Sequence, residues 1–403
     1  MGIEDNRDEA RFLATWALGE PIIVEGVGER LRERWSPDAL STLHGDLEVP
    51  LVDTRSGQTF FRPLRDFLNG FRRPELRPRA PAKHHGGKKA AAASSSAEDD
   101  ESGPPQEEVL LKLKDWPASS DFAELLPKHY NDLMRALPLQ RYTRREGSLN
   151  LAAALPKWCL PPDLGPKMYL GYGSLRPDGT FLPDPTSHKH VAGTCLHVDM
   201  ADAVNICAHV EPLREGPRDR DGEDDEEEEE SEEEESEEEE AERLWLLESG
   251  GERGGAVWDI WRASDFDTIT SFLHRIAIEE GRPPPVHGIH DHKVYIDLNM
   301  RRRLEEEEGV IGYRFVQRQG DAVCIPAGCP HQVLNLRSAI KAAMDFVSPE
   351  HITKCLSLTE QFRVLPKGHA RNEDPLGTKA ILLHAVSKAL STAGMSNAKA
   401  AKR

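Results

Sequence analysis

The sequence lacks the features that mark several common protein classes. No stretch approaches the ~18 consecutive apolar residues of a membrane-spanning helix. The opening residues, MGIEDNRDEARF, are acidic and have no apolar core, which argues against a secretory signal. Asn6 stands where a myristoylation signal wants Ser or Thr. The six cysteines, at 159, 195, 207, 324, 329 and 355, form no C-x-x-C pair. That excludes zinc-finger spacing and a compact disulfide framework, and it fits a reducing compartment, cytosol or nucleus. Apolar residues make up only 38% of the 403 against 30% charged, which is polar for a globular chain. The length fits two or three domains, or one elaborated domain with tails.

The net charge of −19 is not spread evenly. Residues 221–242, DGEDDEEEEESEEEESEEEEAE, hold 18 acidic residues and no basic one, so the rest of the chain carries only −1. Like charges this dense repel one another and bury nothing, so a disordered acidic insert is expected over 214–243. A second low-complexity stretch, 81–108, is rich in Ala, Ser, Gly, Pro and charge and reads as a disordered linker. These two segments divide the chain into an N-terminal part (1–80), a main domain (109–366) interrupted by the acidic insert, and a C-terminal helix and tail (367–403).

Within the main domain the pattern is short alternating runs bounded by Gly, Pro and Asp: KMYLGYGS, HVAGTCLHVDM, ADAVNICAHV, GAVWDIWRA and GYRFVQRQGDAVCIPAGCPHQVLNL. Such runs read as half-buried strands. SDFDTITSFLHRIAIEEG reads as a helix with Ser264 as N-cap and Gly281 as its stop, and NMRRRLEEEEGV as another that ends at Gly309. Ser119 or Ser120 is expected to cap a helix carrying Phe122. The fold class is therefore mainly β with flanking helices, a barrel or sandwich.

In CLHVDM, His197 and Asp199 are two apart on a predicted strand and so share a face. His331 follows the tight turn PAGCP far downstream. H-x-D followed by a distant His is the pattern of the 2-His-1-carboxylate triad, which binds Fe(II) on one side and leaves the other open. A 2-oxoglutarate co-substrate needs a buried cation and hydroxyl donors besides. Lys341 lies among apolar neighbours ten residues after His331, an even spacing that lets it share that strand's inward face. Thr194, Asn205, Tyr169 and Tyr172 are further candidates for the lining. His287, His290 and His292 of HGIHDHK read as a surface loop.

CLHVDMADAVNICAHV, GDAVCIPAGCPHQVLNL and IKAAMDFVSPEHITKCLSLTEQFRVL closely resemble the JmjC-domain oxygenases, most of all the lysine demethylase 3 type with its plant members. LKLKDWPASSDFAELLP, GPKMYLGYG and GAVWDIWRASD support the match, which covers most of residues 10–366. The resemblance implies a double-stranded β-helix of the jelly-roll or cupin kind. It implies that His197, Asp199 and His331 ligate Fe(II), and that Thr194 and Lys341 hold 2-oxoglutarate, with Asn205 and Tyr172 lining the site and O2 as the oxidant. It further implies demethylation of lysine 9 of histone H3 with release of formaldehyde, chromatin-associated partners and a nuclear location. A JmjC hydroxylase acting on a non-histone protein, or a chromatin-binding scaffold with weak activity, shares the same ligands and stays open at this point. Nothing reads as a membrane anchor or a sequence-specific DNA-binding module. The cysteine-rich zinc region usual upstream in this family has no counterpart in the first 158 residues, which hold no cysteine.

Overall fold

The computed structural model describes residues 6–80, 109–118, 120–176, 180–181, 192–213, 237–369 and 374–400. The expected linker at 81–108, most of the acidic run and Ser119 lie outside the described residues. Among the described residues, twelve strands follow in chain order: β1 (Ile22–Val24), β2 (Glu48–Asp53), β3 (Thr59–Pro63), β4 (Leu111–Trp116), β5 (Lys167–Gly171), β6 (Gly193–His197), β7 (Asp202–Val210), β8 (Gly254–Ile260), β9 (Tyr313–Arg318), β10 (Ala322–Ile325), β11 (His331–Asn335) and β12 (Ala339–Phe346). They form two antiparallel sheets, ordered β1-β10-β7-β12-β5-β4-β2-β3 and β6-β11-β8-β9. From β6 onward the chain passes repeatedly between the sheets, and β10, β11 and β12 alternate between them. This is the double-stranded β-helix.

Alternation along the strands sends one set of side chains between the sheets. Ala203 of β7, Val323 and Ile325 of β10, Trp258 and Ile260 of β8 and Val333 of β11 form one apolar cluster there. The opposite face of the larger sheet is covered by N-terminal elements: Trp16, Leu40, Leu64 and Phe67 join Leu170, Ile340 and Phe346 in the largest core cluster. Around β6 a second cluster gathers the helices Phe266–Glu279 and Ile352–Arg363. The first of these buries Ile269, Phe272, Leu273 and Ile276, at the spacing of one helix face. It ends at Gly281 in the left-handed region, as the sequence predicts (φ 66°). Ser264 does not cap it. Its hydroxyl bonds Asp265, and a 3-10 turn over Ala263–Asp265 leads into the helix instead. The helix at Phe122 is capped by Asp121, whose carboxylate takes the Ala123 N–H.

The acidic insert ends earlier than expected. From Glu237 to Gly250 the chain is helical, so the disorder expected through residue 243 is corrected for 237–243. Four glutamates in the first turn suit the positive end of the helix dipole. Further along, Glu242 pairs with Arg314 and Arg301, and Leu246 is buried.

Buried Asp202, at the start of β7, fastens several of these parts together. Its carboxylate accepts from the Ala327 N–H (2.9 Å), the Ser348 N–H (2.9 Å) and His351 Nδ1 (2.6 Å). His351 Nε2 donates to the Trp16 carbonyl (2.8 Å). Both partners of His351 are acceptors, so the ring carries both protons. Burial opposes that charge, but the bond and charge of Asp202 outweigh it and hold the pKa above the ordinary histidine value.

Candidate metal and active site

His197 is the last residue of β6, and Asp199 follows two residues on, in the loop to β7. His331 opens β11 directly opposite, as the register partner of His197. The turn before it, Pro326–Pro330, is fixed to the first ligand segment: the Gly328 N–H donates to the Asp199 carbonyl (3.0 Å). Gly328 has φ 77°, and a Cβ there would stand 2.9 Å from the Lys354 side chain, so the turn requires glycine.

The three side chains converge. His197 Nε2 lies 3.8 Å from Asp199 Oδ1, and His331 Nε2 lies 3.6 Å from Asp199 Oδ2. Their ligand atoms all lie within 4.8 Å of one another, and no other group of three such residues is so placed among the described residues. The tautomers follow from the other ring nitrogens. His197 Nδ1 donates to the Cys195 carbonyl (2.9 Å) and His331 Nδ1 to the Cys329 carbonyl (3.0 Å). A carbonyl only accepts, so each Nδ1 carries the proton and each Nε2 presents its lone pair to the centre of the triad. This is how imidazoles are held for a metal, with the second nitrogen fixed by a backbone partner. The residues fit a divalent ion with an open side.

The triad stands in a cavity of about 140 Å3 between the two sheets. Thr194, Asn205, Lys341, Trp258, Asn335, Tyr169 and Lys112 also line it. Lys341 is 5% exposed, and its Nζ donates to Asn335 Oδ1 (2.7 Å). Burial pulls its pKa down to about 8. No carboxylate lies within ion-pairing distance of it among the described residues. A buried ammonium without a carboxylate marks a place for an incoming anion. Lys112 donates to the Gly193 carbonyl (2.6 Å), and burial lowers its pKa too.

Thr194, Asn205 and Lys341 therefore share the cavity with the triad. Tyr172 does not. It is 1% exposed, donates to the Phe67 carbonyl (2.8 Å) and packs on Phe67 and Phe71 in the core. It lies three residues from Tyr169, and an odd spacing in extended chain puts the two rings on opposite faces. The histidine-rich loop is also corrected. His290 is buried between Phe266 and Phe362, and the His292 ring lies 5.1 Å from that of His197. The loop is clamped to both ligand strands: the Leu196 N–H donates to the Val294 carbonyl, and the Gln332 side chain bonds both the N–H and the carbonyl of Ile296. Sequence reasoning passes over several lining residues, among them Trp258, Asn335 and Lys112. Trp258, stacked on His331 at 5.9 Å, sits within GAVWDIW; Asn335 is a lone Asn six residues before Lys341; Lys112 alternates with apolar residues in LKLKDW.

Comparison with known proteins follows the same lines. A family model for the JmjC domain, described as a hydroxylase, matches residues 252–346, which include His331 and Lys341. The chain is 37% identical over 397 residues to lysine-specific demethylase 3A of Gallus gallus, covering 96% of this chain. It is 40% identical over 389 residues to lysine-specific demethylase 3 of Drosophila melanogaster (95% of this chain). It is 40% identical over 295 residues to lysine-specific demethylase JMJ26 of Arabidopsis thaliana (70% of this chain). It spans 27%, 40% and 33% of those proteins' own lengths. On the fold, the matched domain and an identity that runs along nearly the whole chain, this protein belongs to the JmjC-domain family, in its lysine demethylase 3 branch.

Proposed function

We propose that this protein is a nuclear, Fe(II)- and 2-oxoglutarate-dependent lysine demethylase that acts on a methylated histone H3 tail, with lysine 9 as the target. The observation that carries the reading is one cavity holding three converging metal-ligand atoms and a buried lysine without a carboxylate partner. The names of its relatives supply the substrate class. His197, Asp199 and His331 would hold the iron, which supplies the oxidation of an N-methyl group when O2 and 2-oxoglutarate are bound. Lys341 receives the distal carboxylate of the co-substrate, with Thr194 and Asn205 beside it. The Cys195 and Cys329 carbonyls keep Nε2 of each histidine free of protons. His331 and Lys341 are buried between the two sheets, which strengthens charge–charge contacts at that end of the cavity. The hydroxymethyl product on nitrogen breaks down to formaldehyde and the demethylated amine.

Incubation with a dimethylated histone H3 peptide tests this. The expected product is lighter by one CH2 for each methyl removed, with equimolar formaldehyde and succinate. A product heavier by one oxygen, without formaldehyde, would instead identify a hydroxylase, and no succinate at all would leave a scaffold.

The pKa of Lys341 gives a second expectation. Burial lowers it to about 8, so the side chain is a cation at neutral pH and loses its proton just above. Affinity for 2-oxoglutarate should fall as pH rises through that value. Calorimetric titration of the Mn(II)-loaded protein between about pH 7 and 9.5 would show the decline. Lys341→Met should bind weakly with no such pH dependence, and a wild-type affinity in that variant would assign the carboxylate to another cation.

A further inference from the structure

The residues of the candidate site come from three separate stretches of chain. His197 and Asp199 stand at the exit from β6, His331 follows the turn Pro326–Pro330, and Lys341 lies on β12. One side chain that does not line the cavity is bound to all three stretches. Asp202 stands three residues after Asp199. Its Oδ1 takes the Ala327 N–H, within the turn that delivers His331. Its Oδ2 takes the Ser348 N–H, two residues past the end of β12. The turn is thus bonded twice to the segment of the carboxylate ligand, by the Asp202 side chain and by the Asp199 carbonyl, which takes the Gly328 N–H.

Asp202 is 0% exposed, and a buried carboxylate needs a partner charge. His351, just before the helix Ile352–Arg363, supplies it. The other nitrogen of that ring donates to the carbonyl of Trp16, the last residue of the helix Asn6–Trp16. The last carbonyls of a helix lack partners within it and form its negative end, so the imidazolium lies between two negative groups. The N-terminal segment meets the His331 turn a second time, where the Cys329 thiol donates to the Gly19 carbonyl (3.6 Å). The Cys329 carbonyl is also the group that fixes the His331 tautomer. A continuous chain of bonds therefore runs from the end of the first helix, through His351 and Asp202, to the turn that carries a metal ligand.

We propose that Asp202, with His351 as its counter-ion, is a positioning residue for the metal centre: it sets the spacing of Asp199 and His331, and through it the affinity and coordination geometry of the bound ion. The inference rests on the reading of His197, Asp199 and His331 as metal ligands. Both oxygens of Asp202 and both nitrogens of His351 are engaged elsewhere, so the pair acts through the ligands and not on the ion. What it supplies is a fixed frame. Ligands that must be drawn together at the moment of binding hold an ion less tightly than ligands already in place.

Asp202→Asn tests this. The amide offers one acceptor atom in place of two, so whichever way it turns, the N–H of Ala327 or of Ser348 faces another donor. Titration with Mn(II) should show an affinity about 10–100-fold below wild type, the scale for outer-shell partners of a metal site. The visible absorption of the Co(II)-loaded protein, which reports coordination geometry, should shift as well. His351→Gln keeps the carboxylate and both its backbone bonds but removes the charge, and should lower the affinity in the same direction by less. Tyr142→Phe is the control for lost stability alone. It removes a bond to Glu350, the neighbour of His351 (2.9 Å), and should leave the affinity and the Co(II) spectrum at wild-type values. Urea unfolding establishes that each variant is folded. A wild-type Mn(II) affinity in folded Asp202→Asn would overturn the proposal, and if that variant does not fold, a wild-type affinity in His351→Gln would do so. An equal loss in Tyr142→Phe would overturn it too, because affinity would then follow stability and not position. Wild type that binds no Mn(II) removes the metal reading and this inference with it, whereas binding that survives in Asp202→Asn removes this inference alone.

Discussion

Asp199→Ala is expected to abolish turnover while leaving the fold intact. The loss in metal affinity should exceed the roughly 10–100-fold that changes to outer-shell partners of a metal site cost, because a ligand itself is removed. The carboxylate faces both histidine Nε2 atoms, at 3.8 and 3.6 Å, and its side chain is 30% exposed, so it contributes nothing to the apolar core. Its backbone carbonyl, which takes the Gly328 N–H, is unchanged by the substitution. Stability should therefore stay within about 0.5 kcal/mol of wild type, as for substitutions outside the core. Urea unfolding checks the fold, Mn(II) titration checks the metal, and succinate release checks the chemistry. Retained succinate release would refute the ligand assignment. The His331→Ala variant should lose the metal equally but is a poorer control of fold, since His331 is 3% exposed and Trp258 stacks on it.

The triad was legible in the sequence because two ligands stand two apart at a strand end and the third follows a glycine turn, and both features are local. The lining residues were legible only in part, because their placement depends on how strands meet. Thr194 is three residues from His197, which in a regular strand would put it on the other face. The β6–β11 pairing shifts register between His331 and Val333, and that irregularity brings both inward. The even spacing of Lys341 from His331 predicts one shared strand, but the two residues lie on β11 and β12, in opposite sheets. What brings them together is that both strands turn a face to the same interior. The sequence reading places Tyr172 in the site where the structure has Tyr169, although their spacing of three already separates the two by face. The clamped histidine loop is not legible in the sequence, since the loop enters these bonds through backbone groups of Val294 and Ile296, taken by the Leu196 N–H and the Gln332 side chain, and backbone groups leave no mark in side-chain pattern.

The acidic run invites the view that it is solvated throughout, and Arg314→Met should show where that view stops. Arg314 on β9 bonds Asp259 of β8 (2.6 Å) and pairs with Glu242 from the end of the acidic run. Arg301 reaches the same two carboxylates, at 3.7 and 3.2 Å. Two anions and two cations thus form a balanced cluster behind the smaller sheet, with Asp259 only 2% exposed. Burial opposes the charge of Arg314, but Asp259 and Glu242 more than offset it and push its pKa upward. Removing one cation leaves two carboxylates against Arg301 alone, which should cost about 3–5 kcal/mol, the scale for breaking a buried ion pair from one side. Arg314→Met combined with Glu242→Gln restores the balance and should recover much of that loss, which would mark the two as coupled. Urea unfolding measures both variants, and hydrogen exchange across 237–250 should rise in the single variant as the helix loosens. An effect near zero would make the cluster an ordinary surface network. The consequence should also reach the site. Asp259 accepts from Gln332 (3.0 Å), the residue after His331, and Gln332 in turn holds the loop whose His292 faces His197. In the single variant the metal should bind more weakly than in wild type, though less so than in Asp199→Ala, because a support has been loosened and no ligand lost.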